Sequence, residues 1–179
     1  MTSYAPNLMY EHALTPLKGW VKSNCLDYSA IVSDNVTFAI PQGRVMHVNS
    51  SGEFETGVTG TQMAIFAFNA SDALTVANPG TTAAGNFVHQ AIFPTGVTSG
   101  LVATGGFELS SSEFDSGDDY EPNDTLTADV ANTTLATGGV LKLGTVYTDA
   151  ICGVVSKGVV TNELGVDMLC FWPVYVPAN

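Results

Sequence analysis

The sequence predicts an all-β fold: a small antiparallel β-barrel or β-sandwich, jelly-roll topologies included, preceded by an extended N-terminal arm. Three observations carry this expectation. About ten short apolar runs rich in Val, Ile, Phe and Thr recur along the 179 residues, each of strand length. Clusters of Gly, Pro, Asn and Asp interrupt them at close intervals, the spacing of sandwiches and barrels rather than of βαβ units. The one capping-box pattern, Ser110 with Glu113, leads into no apolar helical run, so a helix is rejected there.

The elements follow in chain order. Residues 1–27 read as the arm, because Pro6 and Pro16 interrupt the apolar positions and favour extended backbone. Its apolar side chains Tyr4, Leu8, Met9 and Tyr10 either pack on their own domain or reach a neighbouring subunit. Residues 28–179 read as one all-β domain, with a smaller barrel-like part at 115–177 that closes the fold. Strands are expected at 36–40 (VTFAI) and 44–48 (RVMHV), with a turn at Asn49-Ser50-Ser51-Gly52. The run 62–68 (QMAIFAF) is almost continuously apolar and suits burial on both faces. Further strands are expected at 73–77, 86–93 and 101–109, the last with a bulge or close backbone approach at Gly105-Gly106. After a polar loop at 110–124, strands are expected at 125–130, 140–143, 150–156, 159–161 and 166–172. The exit at Phe171-Trp172-Pro173 has two readings of equal weight, core rings or rings turned toward a partner, with Tyr175 just beyond.

Composition narrows the function. Seventeen acidic residues stand against five basic ones, giving −12, and no Lys or Arg occurs in 45–141. Nucleic acid needs clustered cations to displace its counterions, so it is not an expected partner, and an anionic membrane surface is disfavoured for the same reason. Only 12% of the chain is charged, which suits a subunit whose surface is partly covered by neighbours. The N-terminal residues have no basic and apolar leader pattern, and no run approaches the length of a membrane helix. Cys25, Cys152 and Cys170 are an odd number without CxxC spacing, which reads as free thiols in a reducing cytoplasm.

No catalytic motif is present: there is no GxSxG, HExxH, P-loop or GxGxxG, and His12, His47 and His89 fall in separate segments. An enzyme is therefore not expected, nor a cofactor. The one metal candidate is Ca²⁺ on Asp115, Asp118, Asp119, Glu121 and Asp124. Their spacing is not that of an EF-hand loop, and a solvated acidic loop is the stronger reading.

Two stretches resemble the capsid decoration, or cement, proteins of tailed bacteriophages. The first is 43–68 (GRVMHVNSSGEFETGVTGTQMAIFAF); the second is 120–172, chiefly YEPNDTLTAD, GGVLKLG and ICGVVSKG. Together they cover under half of the chain, and they consist of turn and strand residues. The resemblance implies a non-enzymatic virion protein, made in the host cytoplasm and bound to the outer capsid surface. It implies the major capsid protein as partner and a homo-oligomer, trimer or dimer, that clamps neighbouring lattice subunits. It carries over no functional residue. The expected contact residues come instead from the two aromatic ends: Tyr4, Leu8, Met9 and Tyr10, and Phe171, Trp172 and Tyr175. The alternatives are another phage structural subunit, of a tail tube or head fibre, and a carbohydrate-binding or adhesin module.

Overall fold

β-branched and aromatic runs among the described residues pair as strands in the computed structural model. It describes residues 14–18, 25–36, 40–67, 91–92, 97–103, 108–130, 138–163 and 165–179. Every strand pair among them is antiparallel, and none of them is helical. One sheet has the strand order β1 (Leu14–Lys18), β9 (Glu108–Ser111), β13 (Asp167–Val176), β12 (Ile151–Thr161), β10 (Thr125–Ala128), β11 (Leu141–Leu143). A second has the order β2 (Cys25–Ile31), β8 (Val97–Ala103), β6 (Ile65–Ala67), β4 (Val45–Val48), β5 (Phe54–Thr56). β3 (Ile40–Pro41) and β7 (Ala91–Ile92) form a separate pair.

The two large sheets share a core because β4 and β6 present alternate residues to opposite sides. Val45 and Phe66, which pair across the strands, join Leu109, Leu126, Leu141, Leu169 and Phe171 of the larger sheet. The Phe66 and Phe171 rings lie 5.5 Å apart, tilted by 39°. Met46, Ile65 and Ala67 face the other way and build a second core with Val32, Val36, Ile40 and Phe54. The expectation that 62–68 would be buried on both faces holds at Ile65, Phe66 and Ala67.

Backbone joins these sheets where only glycine fits. Gly57, at φ +82, and Gly139, at φ +80, lie against chain from elsewhere. A Cβ on Gly57 would stand 2.0 Å from the Asp129 carbonyl oxygen, and one on Gly139 2.3 Å from that of Val45. That closeness lets Gly57 N donate to Val45 O, Val45 N to Gly139 O, and Gly139 N to Asp129 O.

No barrel closes among the described residues, which corrects the barrel expectation. One outermost strand of each large sheet, β11 and β5, is occupied by loops instead. At β11, Leu141 N donates to Glu113 O, its carbonyl accepts from Asp115 N, and Leu143 N donates to Asp118 Oδ2. At β5, Ser33 N donates to Phe54 O beside a short parallel bridge from Val32. Edges covered in this way have no free ladder with which to complete a cylinder.

Several strand bounds also differ from expectation. The run 101–109 is two strands, not one: β8 belongs to the five-stranded sheet and β9 to the six-stranded sheet. Residues 150–156 and 159–161 are one strand, β12, whose register shifts between Val155 and Gly158. β13 runs past Trp172 to Val176 and carries Pro173 opposite Gly153, beside a second register shift. Among the described residues β9 pairs with β13 from Leu169 to Phe171. The strand expected at 36–40 begins only at Ile40, with 37–39 outside the described residues. The strand expected at 73–77 lies outside them too. Of the arm, 14–18 pairs with β9 as an outer strand and 25–27 begins β2; 1–13 and 19–24 are outside the described residues.

Candidate interaction surface

The acidic segment folds as a set of turns whose carboxylates bond to backbone. Asp115 Oδ1 accepts from Gly117 N at 2.9 Å, and Asp124 Oδ2 from Glu121 N at 2.8 Å. Asp118 Oδ2 accepts from Leu143 N at 3.1 Å, which ties the loop to the sheet edge. Tyr120 anchors the loop from below. Its ring is edge-on to Phe114, and its hydroxyl donates to Asp115 O at 2.9 Å. Burial, and then the Asp118 and Asp115 carboxylates, push the Tyr120 phenol well above its ordinary range. Asp115, Asp118, Asp119, Glu121 and Asp124 do not converge: no three His, Cys, Asp or Glu side chains among the described residues group as ligands for a metal.

Arg44, the only arginine in the chain, lies buried between the sheets. Its Nε donates to Glu113 Oε2 at 2.5 Å, and its Nη1 donates to the Gly138 carbonyl at 2.8 Å. His47 is buried as well, with Nδ1 donating to Gly57 O at 2.8 Å and Nε2 3.8 Å from Glu55 Oε2. The Glu55 carboxyl is held below its ordinary range, first by the Asn49 amide, then by Asn35 and Ser33 hydrogen bonds and the nearby His47. Cys152 packs in the shared core, and burial pushes its thiol up to about 12. Burial, with Glu108 nearby, also raises the Cys170 thiol. Thiols shifted upward are poor nucleophiles.

These groups therefore act on one another and on backbone. A shallow depression of about 110 Å³ lies between Thr59, Asp129, Lys142 and Asp149. Ligand pockets usually measure about 300–1,000 Å³. Its Lys142 and Asp129 already form an ion pair at 3.1 Å, and Asp149 Oδ2 accepts from Thr145 N at 2.8 Å.

Apolar and aromatic side chains also project outward. Consecutive residues of a strand point to opposite faces, so Phe171 and Trp172 divide between the two readings of the exit. Phe171 is fully buried against Phe66, whereas Trp172 is 43% exposed. Tyr175 lies half-buried along the C-terminal end of β13, its hydroxyl donating to Thr61 O at 2.6 Å. Tyr4, Leu8, Met9 and Tyr10 fall outside the described residues.

A second outward aromatic, Tyr147, was not legible in the sequence. It stands at the apex of the 145–149 turn, where Thr148 N and Asp149 N donate to Thr145 O and Asp149 Oδ2 accepts from Thr145 N. Tyr147 is 69% exposed and has φ +73. The left-handed region costs an ordinary L-residue about 1–2 kcal/mol. The pattern Thr145-x-x-x-Asp149 hints at a closed turn, but nothing in the sequence reports a dihedral angle. Met63, Val130 and Val146 are exposed as well, again within turns or connections.

No protein-family model matches this chain, and no curated protein matches it.

Proposed function

We propose that the protein is a non-enzymatic virion component. In this reading it binds the outer surface of a phage capsid and stabilises the lattice of the major capsid protein, as an oligomer of two or three copies. The observation that carries the reading is the division of labour among its side chains. Arg44, Glu113, Lys142, Asp129 and Asp118 are spent on internal bonds, while large aromatic and aliphatic side chains, Trp172 and Tyr147 foremost, face outward. Exposed aromatic anchors on a preorganised body suit binding a surface rather than transforming a substrate. A lattice repeats each modest contact many times, so no single site needs high affinity. The two large sheets, which share a core, are read as the layers of a sandwich, a suitable shape for a clamp.

The reading is tested by heating DNA-filled heads of the parent virus that lack this protein, with and without it added back. DNA release at a temperature several degrees higher with the protein is the expected result. Unchanged release at saturating protein contradicts lattice stabilisation.

A further inference from the structure

Among the described residues only Asn123 and Tyr147 are non-glycines with positive φ, at +80° and +73°. Asparagine tolerates that conformation; a tyrosine is strained in it. Tyr147 is also 69% exposed, so its ring recovers little through core packing. Strain kept at an exposed aromatic points to a role outside the fold.

Its surroundings support that. Asn179 N donates to Tyr147 O, Ala178 N to Gly60 O, and Tyr175 Oη to Thr61 O, so the C-terminal residues fasten the 145–149 turn and the 57–63 connection to one corner. Met63, Val146 and Tyr147 are exposed at this corner, and Val130 lines the adjoining depression together with Thr148. Methionine and tyrosine are enriched where proteins meet.

We propose that this corner, centred on Tyr147, is the contact patch through which the protein docks on another protein, and that the surface it meets is basic. The charge argument decides between occupants. The chain carries −12, and the three cations whose side chains are described are all paired internally: Arg44 with Glu113, Lys142 with Asp129, Lys157 with Glu108. The acidic loop ends where β10 begins, and the depression lies at the other end of β10. Four strand residues span about 10 Å. That is close to a Debye length at about 0.1 M salt, so the loop's field reaches the patch. A second copy brings the same negative field and none of these three cations free to offset it, whereas a surface rich in Lys and Arg is complementary. The inference rests on the capsid-binding reading above and adds where contact is made and which charge receives it.

The test compares the full-length wild type with Tyr147→Gly on undecorated capsids of the parent virus. Glycine removes the ring and relieves the backbone, so the melting temperature is expected to hold or rise slightly while capsid affinity falls roughly tenfold or more. Wild-type affinity is expected to fall by about tenfold between roughly 50 and 300 mM salt. Undiminished binding by Tyr147→Gly overturns the patch, and so does a melting temperature lowered by more than about 5 °C, which makes the ring structural. Salt-insensitive binding overturns the basic surface. Self-association that Tyr147→Gly abolishes assigns the patch to a second copy and overturns the proposed partner. A wild type that leaves capsids bare removes the capsid reading and this inference together; intact wild-type binding with an unaltered variant removes the inference alone.

Discussion

Arg44 ties the two sheets together through its side chain. It precedes β4 of one sheet and bonds Glu113 and Gly138, which flank strands of the other. Removing one partner of a buried pair strands the other charge away from water, at a cost of about 3–5 kcal/mol. Arg44→Met is expected to lower unfolding free energy by that amount in urea titrations. Arg44→Met combined with Glu113→Leu is expected to recover most of the loss, since neither charge then remains. An equally damaged double variant means that the Gly138 bond or the shape of Arg44 matters more than its charge. Glu55 gives a second expectation at this scale. Its carboxyl is held below the ordinary value of 4.5 by Asn49, Asn35 and Ser33 hydrogen bonds and by His47. A depressed carboxylate stabilises the fold above its unfolded pKa, and the contribution disappears as pH falls through the folded one. Wild type and Glu55→Gln should therefore differ in stability at neutral pH and converge as pH falls below 4.5 and through the lower folded value. A difference that grows on acidification contradicts the assignment.

At the scale of elements, the acidic loop is an edge cover. The sequence marks 110–124 as polar and non-helical, and those residues after β9 are indeed turns. What the sequence does not contain is the destination of the carboxylates. Asp118 reaches Leu143, and Glu113 O reaches Leu141, across more than twenty residues of chain. Asp118→Ala is expected to free the Leu143 N–H, raise its hydrogen exchange and cost about 1 kcal/mol. Unchanged exchange at Leu143 contradicts the cover. The legibility of strands follows the same division. The turn at Asn49–Gly52 was readable because Asn49 Oδ1 accepts from Ser51 N and Glu53 N, a bond local in sequence. β6 was readable because a continuous apolar run needs burial on two faces, and it has two cores to supply that. The continuity of β12 through Gly158 was not readable, since a bulge depends on the partner strand. The split of Phe171 from Trp172 followed from strand alternation once the strand was known to run through Pro173. Tyr147 stayed hidden because its strain is tertiary: the turn is closed by Asp149 but tied down by the C-terminal residues.

For the whole molecule, two antiparallel sheets joined by close backbone contact make a sparsely charged body with aromatic groups at its surface. The shared core stands on Phe66 and Phe171, and truncation of either to alanine typically costs about 3–5 kcal/mol, a large part of the stability of any single domain. On the proposed reading, a body already ordered before contact lowers the cost of binding. The measurement that bears most directly on the capsid reading is the number of copies bound per capsid subunit, taken by sedimenting undecorated capsids with increasing amounts of purified protein. The account predicts saturation at a fixed ratio set by the lattice symmetry, unchanged when more protein is added. Absence of binding, or binding that rises without a plateau, contradicts it.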